Sequence, residues 1–403
     1  MTSLGNDGAA ARGSRLSRRR PAKRLRRRWR VVVAVVVLLL APVAYSYVST
    51  VTKPSSLPLG VRSVEWLRAN GGAWLVDDAE RLYYSWRTPK KGGPQLSTLP
   101  QVGLLSAPRV VPHRVTVRRV GYRPSRVHPL LRPALPGEGR WAGTGPSIAG
   151  RPPVLVTAYR VDPDYPRVVA YVAWIDQTRT QTTLYPGRYE PPGGGPRGPM
   201  DVPLGTRGRL LATFNGGFTY ADAHGGFFAG GRSYTPLRVG MATLVGYWDG
   251  RVDVRTWRGG PTPMAGVAFA RQNLPLIVAG GKLNPALDDS TRWGRTLGNA
   301  VRVWRSGVGI DRHGNLIYAA ANYQTAPSLA RIFVHAGAVR AMELDINPEW
   351  PSFITYARPG ARGATKLVPN AMQSELRYLR PDDRDFFAVY RRTRSGRAVA
   401  ALR

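Results

Sequence analysis

The chain has 403 residues and a formal net charge of +35, because 59 Lys and Arg outnumber 24 Asp and Glu. It has no cysteine, which excludes a disulfide framework, a cysteine nucleophile and a Cys-ligated zinc site. Residues 1–30 carry 11 basic residues against one acid, for +10, and residues 101–150 carry eight Arg against one Glu, for +7. These two segments hold 17 of the 35 charges, and the remaining +18 is diffuse, so the surplus alone does not define a nucleic-acid surface.

An uncharged and mostly apolar run covers residues 31–48 and predicts a transmembrane anchor over residues 31–50. Eighteen helical residues span about 27 Å, close to the ~30 Å hydrocarbon thickness of a bilayer. Because the Arg-rich residues 1–30 precede this run, the positive-inside rule keeps them in the cytoplasm. A cleaved signal peptide, with a small-x-small site at residues 44–46, is the alternative. In both cases we expect the bulk of the chain outside the cytoplasm, with no nucleic-acid partner; with the uncleaved anchor we expect the chain at the cell membrane.

Two segments precede the main domain. Residues 51–100 have helical apolar spacing interrupted by Gly71-Gly72, which predicts a small helical module in two pieces. Residues 101–150 are rich in Pro and Arg without long periodicity, and we interpret them as an extended arm that lies along an anionic wall polymer.

Residues 151–393 form the main predicted domain, and residues 394–403 form a short tail. Short apolar runs bounded by Pro, Asp and Gly predict strands throughout this region. One helix is predicted over residues 328–337, where Gly337 suits a left-handed C-terminal cap. Many strands and few helices predict a mixed, strand-rich α+β fold, preceded by one transmembrane helix.

Polar residues with possible chemical roles cluster in four short segments. The first, T-F-N-G-G-F at residues 213–218, ends a predicted strand in Asn215-Gly216-Gly217, where the backbone can approach a ligand. His224 follows in a second glycine-rich stretch. The other interpretation of the first segment is an ordinary glycine turn with a local Asn hydrogen bond.

The second and third segments carry charge. Arg305 lies in R-S-G-V-G-I-D, and an Arg at a glycine-rich strand end suits bidentate phosphate binding. Glu343 and Asp345 are two residues apart, so on a strand they would share one face. Two such carboxylates can divide acid and base roles in glycosidic bond cleavage, bind a hard cation, or simply pair with Arg. The fourth segment, V-P-N-A-M, contains Asn370.

Taken in order, these segments resemble the phosphodiester glycosidase domain family over about residues 151–392. N-G-G-F at 215–218, R-S-G-V-G-I-D at 305–311, A-V-R-A-M-E-L-D at 338–345 and V-P-N-A-M at 368–372 are similar to the family's ordered motifs. The resemblance implies hydrolysis of a sugar-1-phosphodiester at its glycosidic bond.

The resemblance also implies residue roles. Arg305 would hold the phosphate, and Asp345 would be the main catalytic carboxylate with Glu343 in support. The implied catalytic set is Asp345, Glu343 and Arg305, and the implied substrate-binding set is Asn215, Gly216, Gly217, His224, Asp311, Asn347, Trp350 and Asn370. No cofactor is implied, and the histidines offer no H-E-x-x-H metal site.

The chain departs from the family pattern after Asp345. The family continues in a glycine run ending in Ser or Thr, whereas this chain reads I-N-P-E-W over residues 346–350. This change predicts a reshaped acceptor pocket, with Glu349 as a new carboxylate and Trp350 as a platform for stacking a sugar. The alternative is that catalysis has been lost.

The sequence therefore predicts a membrane-anchored, exported hydrolase that cleaves a sugar-1-phosphodiester or a related cell-envelope glycan. The alternative function is a non-catalytic binder of anionic cell-wall polysaccharide on the same fold.

Overall fold

The computed structural model describes residues 21–76, 78–79, 82, 90–100, 122–288, 292–294, 302–369 and 374–393. The chain divides into two units between Lys53 and Pro54. The first unit contains helix α1 (Pro21–Thr52), whose part Arg28–Thr52 is long and apolar enough to cross a membrane. This finding supports a membrane span or signal anchor near the N-terminus.

The second unit is built mainly from short strands. Its described helices are α2 (Leu59–Leu67), α3 (Tyr220–Ala223) and α4 (Ala326–His335), with a π-helical segment at Arg68–Gly72 and 3₁₀ turns at Leu204–Arg209 and Pro285–Asp288. Its described strands are β1 (Ala142–Thr144), β2 (Val154–Arg160), β3 (Val169–Ile175), β4 (Thr180–Tyr185), β5 (Leu210–Asn215), β6 (Phe227–Ala229), β7 (Arg232–Thr235), β8 (Ala242–Tyr247), β9 (Val252–Thr256), β10 (Val267–Gln272), β11 (Leu276–Ala279), β12 (Lys282–Leu283), β13 (Val303–Asp311), β14 (Leu316–Gln324), β15 (Ala338–Glu343), β16 (Phe353–Arg358), β17 (Arg362–Lys366) and β18 (Phe386–Arg391).

The strands pair into three antiparallel sheets. The first has eight strands in the order β1-β2-β3-β14-β13-β15-β11-β12. The second has the order β7-β6-β10-β8-β9, and the third has the order β17-β16-β5-β18-β4. This arrangement confirms the predicted strand-rich α+β fold with few helices.

Both faces of the eight-stranded sheet are covered near its middle, which explains why β2 and β3 are buried along their whole length. In β2, Val154 and Val156 face a core shared with the two five-stranded sheets. Leu155 and Tyr159 face the opposite way, into a second core that contains α4. A strand buried on both faces has no need of polar alternation, so all seven residues of β2 are buried.

Local sequence signals explain the two best-defined helices of this unit. Helix α4 begins with a capping box in which Thr325 and Ser328 bond each other's backbone N–H, and Gly337 follows the helix at a φ of 93°. Helix α2 is followed by the predicted break, because Gly71 adopts a φ of 84°.

Residues 122–150 pack within the second unit, and the first part of the predicted arm, residues 101–121, lies outside the described residues. Val127, Leu131 and Leu135 are buried. Glu138 accepts hydrogen bonds from the backbone N–H and Nε of Arg160 at Oε1 and from its Nη2 at Oε2. Both side chains are fully buried, so this ion pair fixes the segment on the end of β2.

We expect Glu138→Ala to lower the free energy of unfolding by about 3–5 kcal/mol, because it leaves the buried guanidinium of Arg160 without its carboxylate. The exposed pair Lys91–Asp164 provides the matched control: Asp164→Ala should cost less than about 1 kcal/mol. Urea unfolding of both variants measures the difference. Equal effects of the two substitutions would contradict this account of the segment.

Candidate functional site

The predicted site residues meet where the eight-stranded sheet adjoins the sheet that contains β5. Asn215 is the last residue of β5, Ser306 lies in β13, and Glu343 is the last residue of β15. The Asn215 Nδ2 group donates to Ser306 Oγ over 3.0 Å, which joins the two sheets. Ser306 also bonds residue 345: its N–H and Oγ–H donate to the Asp345 carbonyl over 3.0 and 2.9 Å. These bonds bring together the end of β5, the first part of β13 and the acidic segment that follows β15.

Asn215 has every polar atom engaged within the protein. Its Oδ1 accepts from Tyr318 Oη–H and from the Ser352 N–H, both over 3.0 Å. Its Nδ2 donates to the Gly216 carbonyl as well as to Ser306. The residue is 2% exposed, so in this structure it positions neighbouring backbone and has no donor directed at a ligand.

Arg305 and Glu343 form a buried ion pair. Arg305 Nη1 donates to Glu343 Oε1 over 2.5 Å and to the Trp293 carbonyl over 3.0 Å, while Nε donates to the Gln324 carbonyl. Glu343 is fully buried. Burial raises the pKa of the Glu343 carboxyl, against the lowering effect of Arg305, and the nearby charge of Asp345 adds to the rise.

Asp345 follows the end of β15 and pairs with Arg384. Arg384 Nη2 donates to Asp345 Oδ2 over 2.8 Å and to the Gly217 carbonyl over 3.1 Å. Burial raises the pKa of the Asp345 carboxyl to about 6, although Arg384 and the Asn347 N–H act to lower it. Asp345 is therefore poised near neutrality, as groups that exchange protons in reactions often are.

We use the name carboxylate site for Glu343 and Asp345 with their partners Arg305, Arg384 and Asn273. Asn273 Nδ2 donates to the backbone carbonyls of Glu343 and Leu344 over 2.7 and 3.0 Å. Within the described part of the chain, three buried polar atoms of this site have no hydrogen-bond partner: Glu343 Oε2, Asn273 Oδ1 and Arg384 Nε. Such atoms are uncommon in folded proteins, and three in one site indicate a polar surface suited to a ligand.

The segment that replaces the family's glycine run is held by side chain–backbone bonds. Asp345 Oδ1 accepts from the Asn347 N–H over 2.9 Å, and Asn347 Oδ1 accepts from the Glu349 N–H over 3.0 Å. Two successive Asx turns therefore fold the residues between Asp345 and Trp350 without glycine.

Gly216 and Gly217 have close neighbours on the side where a Cβ would project. A Cβ at Gly216 would lie 2.0 Å from Asp385 Oδ2, and one at Gly217 would lie 3.2 Å from Asn273 Cγ. A larger residue at Gly216 would displace Asp385, which is paired with the buried Arg271 over 2.9 Å. The glycines therefore permit close packing around the carboxylate site.

Trp350 is 2% exposed, so its ring is not available for stacking a sugar in this structure. Leu57 and Val61, from the segment that begins the second unit, pack with it in one apolar cluster. The guanidinium carbons of Arg377 and Arg384 lie 5.1 and 4.7 Å from its ring centroid. A sugar could stack on Trp350 only after residues 57–61 move.

Three other predicted residues lie elsewhere or outside the described residues. His224 is an exposed residue at a φ of 50° that ends α3. Asp311 is at the opposite end of β13 from Arg305, where its Oδ2 accepts from Trp174 Nε1 over 2.9 Å. Six residues of strand separate Asp311 from Arg305, or about 20 Å. Asn370 lies outside the described residues.

Sequence reasoning missed Arg384, Ser306 and Asn273. Arg384 lies in P-D-D-R-D, a dense run of charge directly before an apolar strand, and that run was the available signal. Ser306 follows Arg305 directly in the same motif but was not predicted as a site residue. Asn273 follows β10 with no distinctive pattern around it.

The fold and this site define a strand-rich α+β domain with paired, buried carboxylates. The chain matches no protein-family model and no curated protein. It is similar to the catalytic domain of zebrafish N-acetylglucosamine-1-phosphodiester alpha-N-acetylglucosaminidase, with 15% identity and a TM-score of 0.40, over 62% of this chain and 87% of that one. A hypothetical protein from Synechocystis gives 12% identity and a TM-score of 0.38, over 61% of this chain and 63% of that one. A Burkholderia pseudomallei protein described as a putative exported protein gives 11% identity and a TM-score of 0.34, over 57% of this chain and 75% of that one. These are distant likenesses of fold alone.

We expect the Asp345 carboxyl to contribute a distinctive pH dependence to stability. Its native pKa of about 6 lies above the ordinary value of 3.8, so the native state holds a proton that the unfolded chain releases. The stability from this group is fully present below about pH 3.8 and is lost as the pH rises through about 6. Urea unfolding between pH 3 and 8 should show this loss in the wild type and not in Asp345→Asn.

Asp382 provides a control of opposite sign. Burial acts to raise the pKa of its carboxyl, but the paired Arg377 lowers it overall. Asp382 therefore stabilises the native state at neutral pH, and this stabilisation is lost as the pH falls. Asp382→Asn should be free of this part of the pH dependence of stability. A flat difference between wild type and Asp345→Asn from pH 4 to 7 would contradict the assignment to Asp345.

Proposed function

We propose that the chain is a membrane-anchored, exported hydrolase that cleaves the glycosidic bond of a sugar-1-phosphodiester or a related envelope glycan. The observation that carries the proposal is the carboxylate site: two buried acids with raised pKa values, each held by its own Arg. Burying two interacting carboxylates costs stability, and sites that do so are often functional. The ordered motif resemblance and the apolar helix α1 support the same function.

The contacts divide the roles among these residues. Arg305 is committed to Glu343 and to two backbone carbonyls, so in this proposal it positions Glu343. Arg384 Nε has no partner among the described residues, so Arg384 is the better placed to stabilise a phosphate group. The motif resemblance implied that Arg305 binds the phosphate, whereas in this proposal Arg384 binds it.

A phosphate leaving group departs as a stable anion and needs little protonation. The reaction then depends on a carboxylate that accepts a proton from the attacking water. Water adds to the sugar C1, its proton passes to Asp345, and the phosphate leaves with the electrons of the C1–O bond. Arg384 would stabilise the charge that develops on the leaving oxygen.

The proposal requires the covering segment to move. Asp345 is 4% exposed, and Leu57 and Val61 cover the adjacent Trp350. That segment is held by the burial of Leu57 and Val61 and by two hydrogen bonds of Ser56, from its N–H to the Pro381 carbonyl over 3.1 Å and from its Oγ to Asp382 Oδ2 over 2.6 Å. Its displacement would expose Trp350 and the approach to Asp345.

The alternative is a non-catalytic binder of anionic wall polysaccharide. It is favoured by the hydrogen bonds of Asn215 and Arg305, which are made within the protein, so that neither side chain directs a group at a substrate. A binder predicts salt-sensitive retention on an anionic polymer without turnover.

We expect the wild type to hydrolyse a sugar-1-phosphodiester and Asp345→Asn to lower kcat/KM by about 10²–10⁴-fold, because the variant loses its proton acceptor. Glu343→Gln should lower it through loss of the second carboxylate. The exposed acid Asp164, which pairs with Lys91, supplies the control variant Asp164→Asn, which should retain wild-type activity. Release of free sugar, measured under initial-rate conditions, checks these expectations.

The pH profile tests the assigned role. If ionised Asp345 accepts the proton, kcat/KM rises with pH through about 6 and levels off above it. No turnover by the wild type, or equal turnover by the wild type and Asp345→Asn, would contradict the hydrolase proposal and favour the non-catalytic binder.

A further inference from the structure

A second polar site lies at the end of the eight-stranded sheet that contains Asp311. It is a cavity of about 60 Å³, several times the ~10–15 Å³ that a cavity needs to hold one water molecule. Its walls come from residues 122–123, the segment before β2 and the turn after β3. The strand β13 separates it from Arg305 by about 20 Å, so it is distinct from the carboxylate site.

The cavity is strongly basic. Arg123, Arg151 and Arg179 line it, and Asp176 is the one acid among its lining residues. Asp176 is already engaged: Oδ1 accepts from the N–H and Oγ1–H of Thr178, and Oδ2 accepts from Arg179 Nη1 over 3.1 Å. The side chains of the lining carry three formal positive charges against one negative charge; Arg179 pairs with Asp176, and Arg123 Nη2 donates to the Trp141 carbonyl over 3.3 Å.

Aromatic rings form a fixed wall of the same cavity. Trp174 is 3% exposed, and its Nε1–H donates to Asp311 Oδ2 over 2.9 Å. The Tyr122 ring lies 6.2 Å from the Trp174 ring and 3.7 Å from the His313 ring. Burial and the hydrogen bond to Asp311 hold Trp174 in place, so this part of the wall is already formed before a ligand binds.

We propose that this cavity binds a phosphate group of an anionic ligand. Guanidinium groups bind oxyanions through paired N–H donors, and excess positive charge in a confined space attracts an anion. Each guanidinium group has five N–H donors, so three such groups around one space can surround the oxygens of a tetrahedral phosphate even while Arg123 and Arg179 keep their contacts within the protein. The cavity holds only that group, and the rest of the ligand would extend over Tyr122 and the exposed Arg123.

The same phosphate chemistry has two sources in an envelope: a polymer with phosphodiester links and a phospholipid headgroup. The site does not depend on catalysis, since it shares no residue with Glu343 and Asp345. It would serve as an anchoring site that holds an anionic polymer on the domain.

The test is isothermal titration of the full chain in detergent with inorganic phosphate, a glycerol phosphate oligomer and glycerophosphoglycerol as a soluble headgroup. Arg151→Ala and Arg123→Ala should each weaken phosphate binding at least tenfold. Arg255→Ala is the matched control: Arg255 is exposed on β9, so the variant loses the same charge and should bind within twofold of wild type. Thermal unfolding verifies that each variant is folded. Arg151→Lys keeps the charge but not the forked guanidinium, so its phosphate affinity should lie between those of the wild type and Arg151→Ala.

The outcomes separate this site from the proposed function. Retained phosphate binding by Asp345→Asn supports a separate site, whatever that variant does to turnover. Tighter binding of the oligomer than of glycerophosphoglycerol assigns the polymer, and the reverse assigns the headgroup. Equal losses in all three Arg→Ala variants, equally tight binding of glucuronate, or a loss in Asp345→Asn would each overturn the proposal.

Discussion

The bond between Asp345 and Arg384 is the interaction on which the candidate site depends. Asp345 lies just beyond the end of β15, and its carboxylate is out of water beside one guanidinium. That guanidinium also holds the Gly217 carbonyl, so one Arg ties together the motif after β5 and the motif after β15. The bond fixes the position of Asp345. Arg384 lowers the pKa of the Asp345 carboxyl by less than burial raises it, so that pKa is about 6.

The same chemistry recurs through the second unit. Carboxylates with buried Arg partners are Glu138, Glu343, Asp345, Asp382 and Asp385. A buried ion pair adds little net stability compared with apolar packing, but losing one partner is costly, so such pairs specify which segments meet. Five Arg residues therefore serve as internal ties instead of surface charge, and each is balanced by the acid that it pairs with, so the net surplus lies on other Arg residues, including those around the cavity beside Asp311.

The sequence was most informative where patterns are local. Continuous apolar runs predicted β2, β3, β5 and β14, and the helix signals near Gly337 predicted α4 within two residues of its observed start. The sequence placed Glu343 and Asp345 on one strand face, whereas the strand ends at Glu343 and Asp345 lies in an Asx turn. That difference has a physical reason: the Ser306 bonds to residue 345 come from β13, and no pattern within residues 338–350 reveals them. Burial of Trp350 by Leu57 was equally invisible, because it joins segments almost 300 residues apart.

A crystal structure of the full chain with a non-hydrolysable glycosyl phosphonate would test the central claim most directly. The account predicts that the phosphonate oxygens lie within hydrogen-bonding distance of Arg384, that the sugar C1 faces Asp345, and that residues 57–61 have moved off Trp350. A ligand bound elsewhere, with Asp345 still covered and paired only with Arg384, would contradict it.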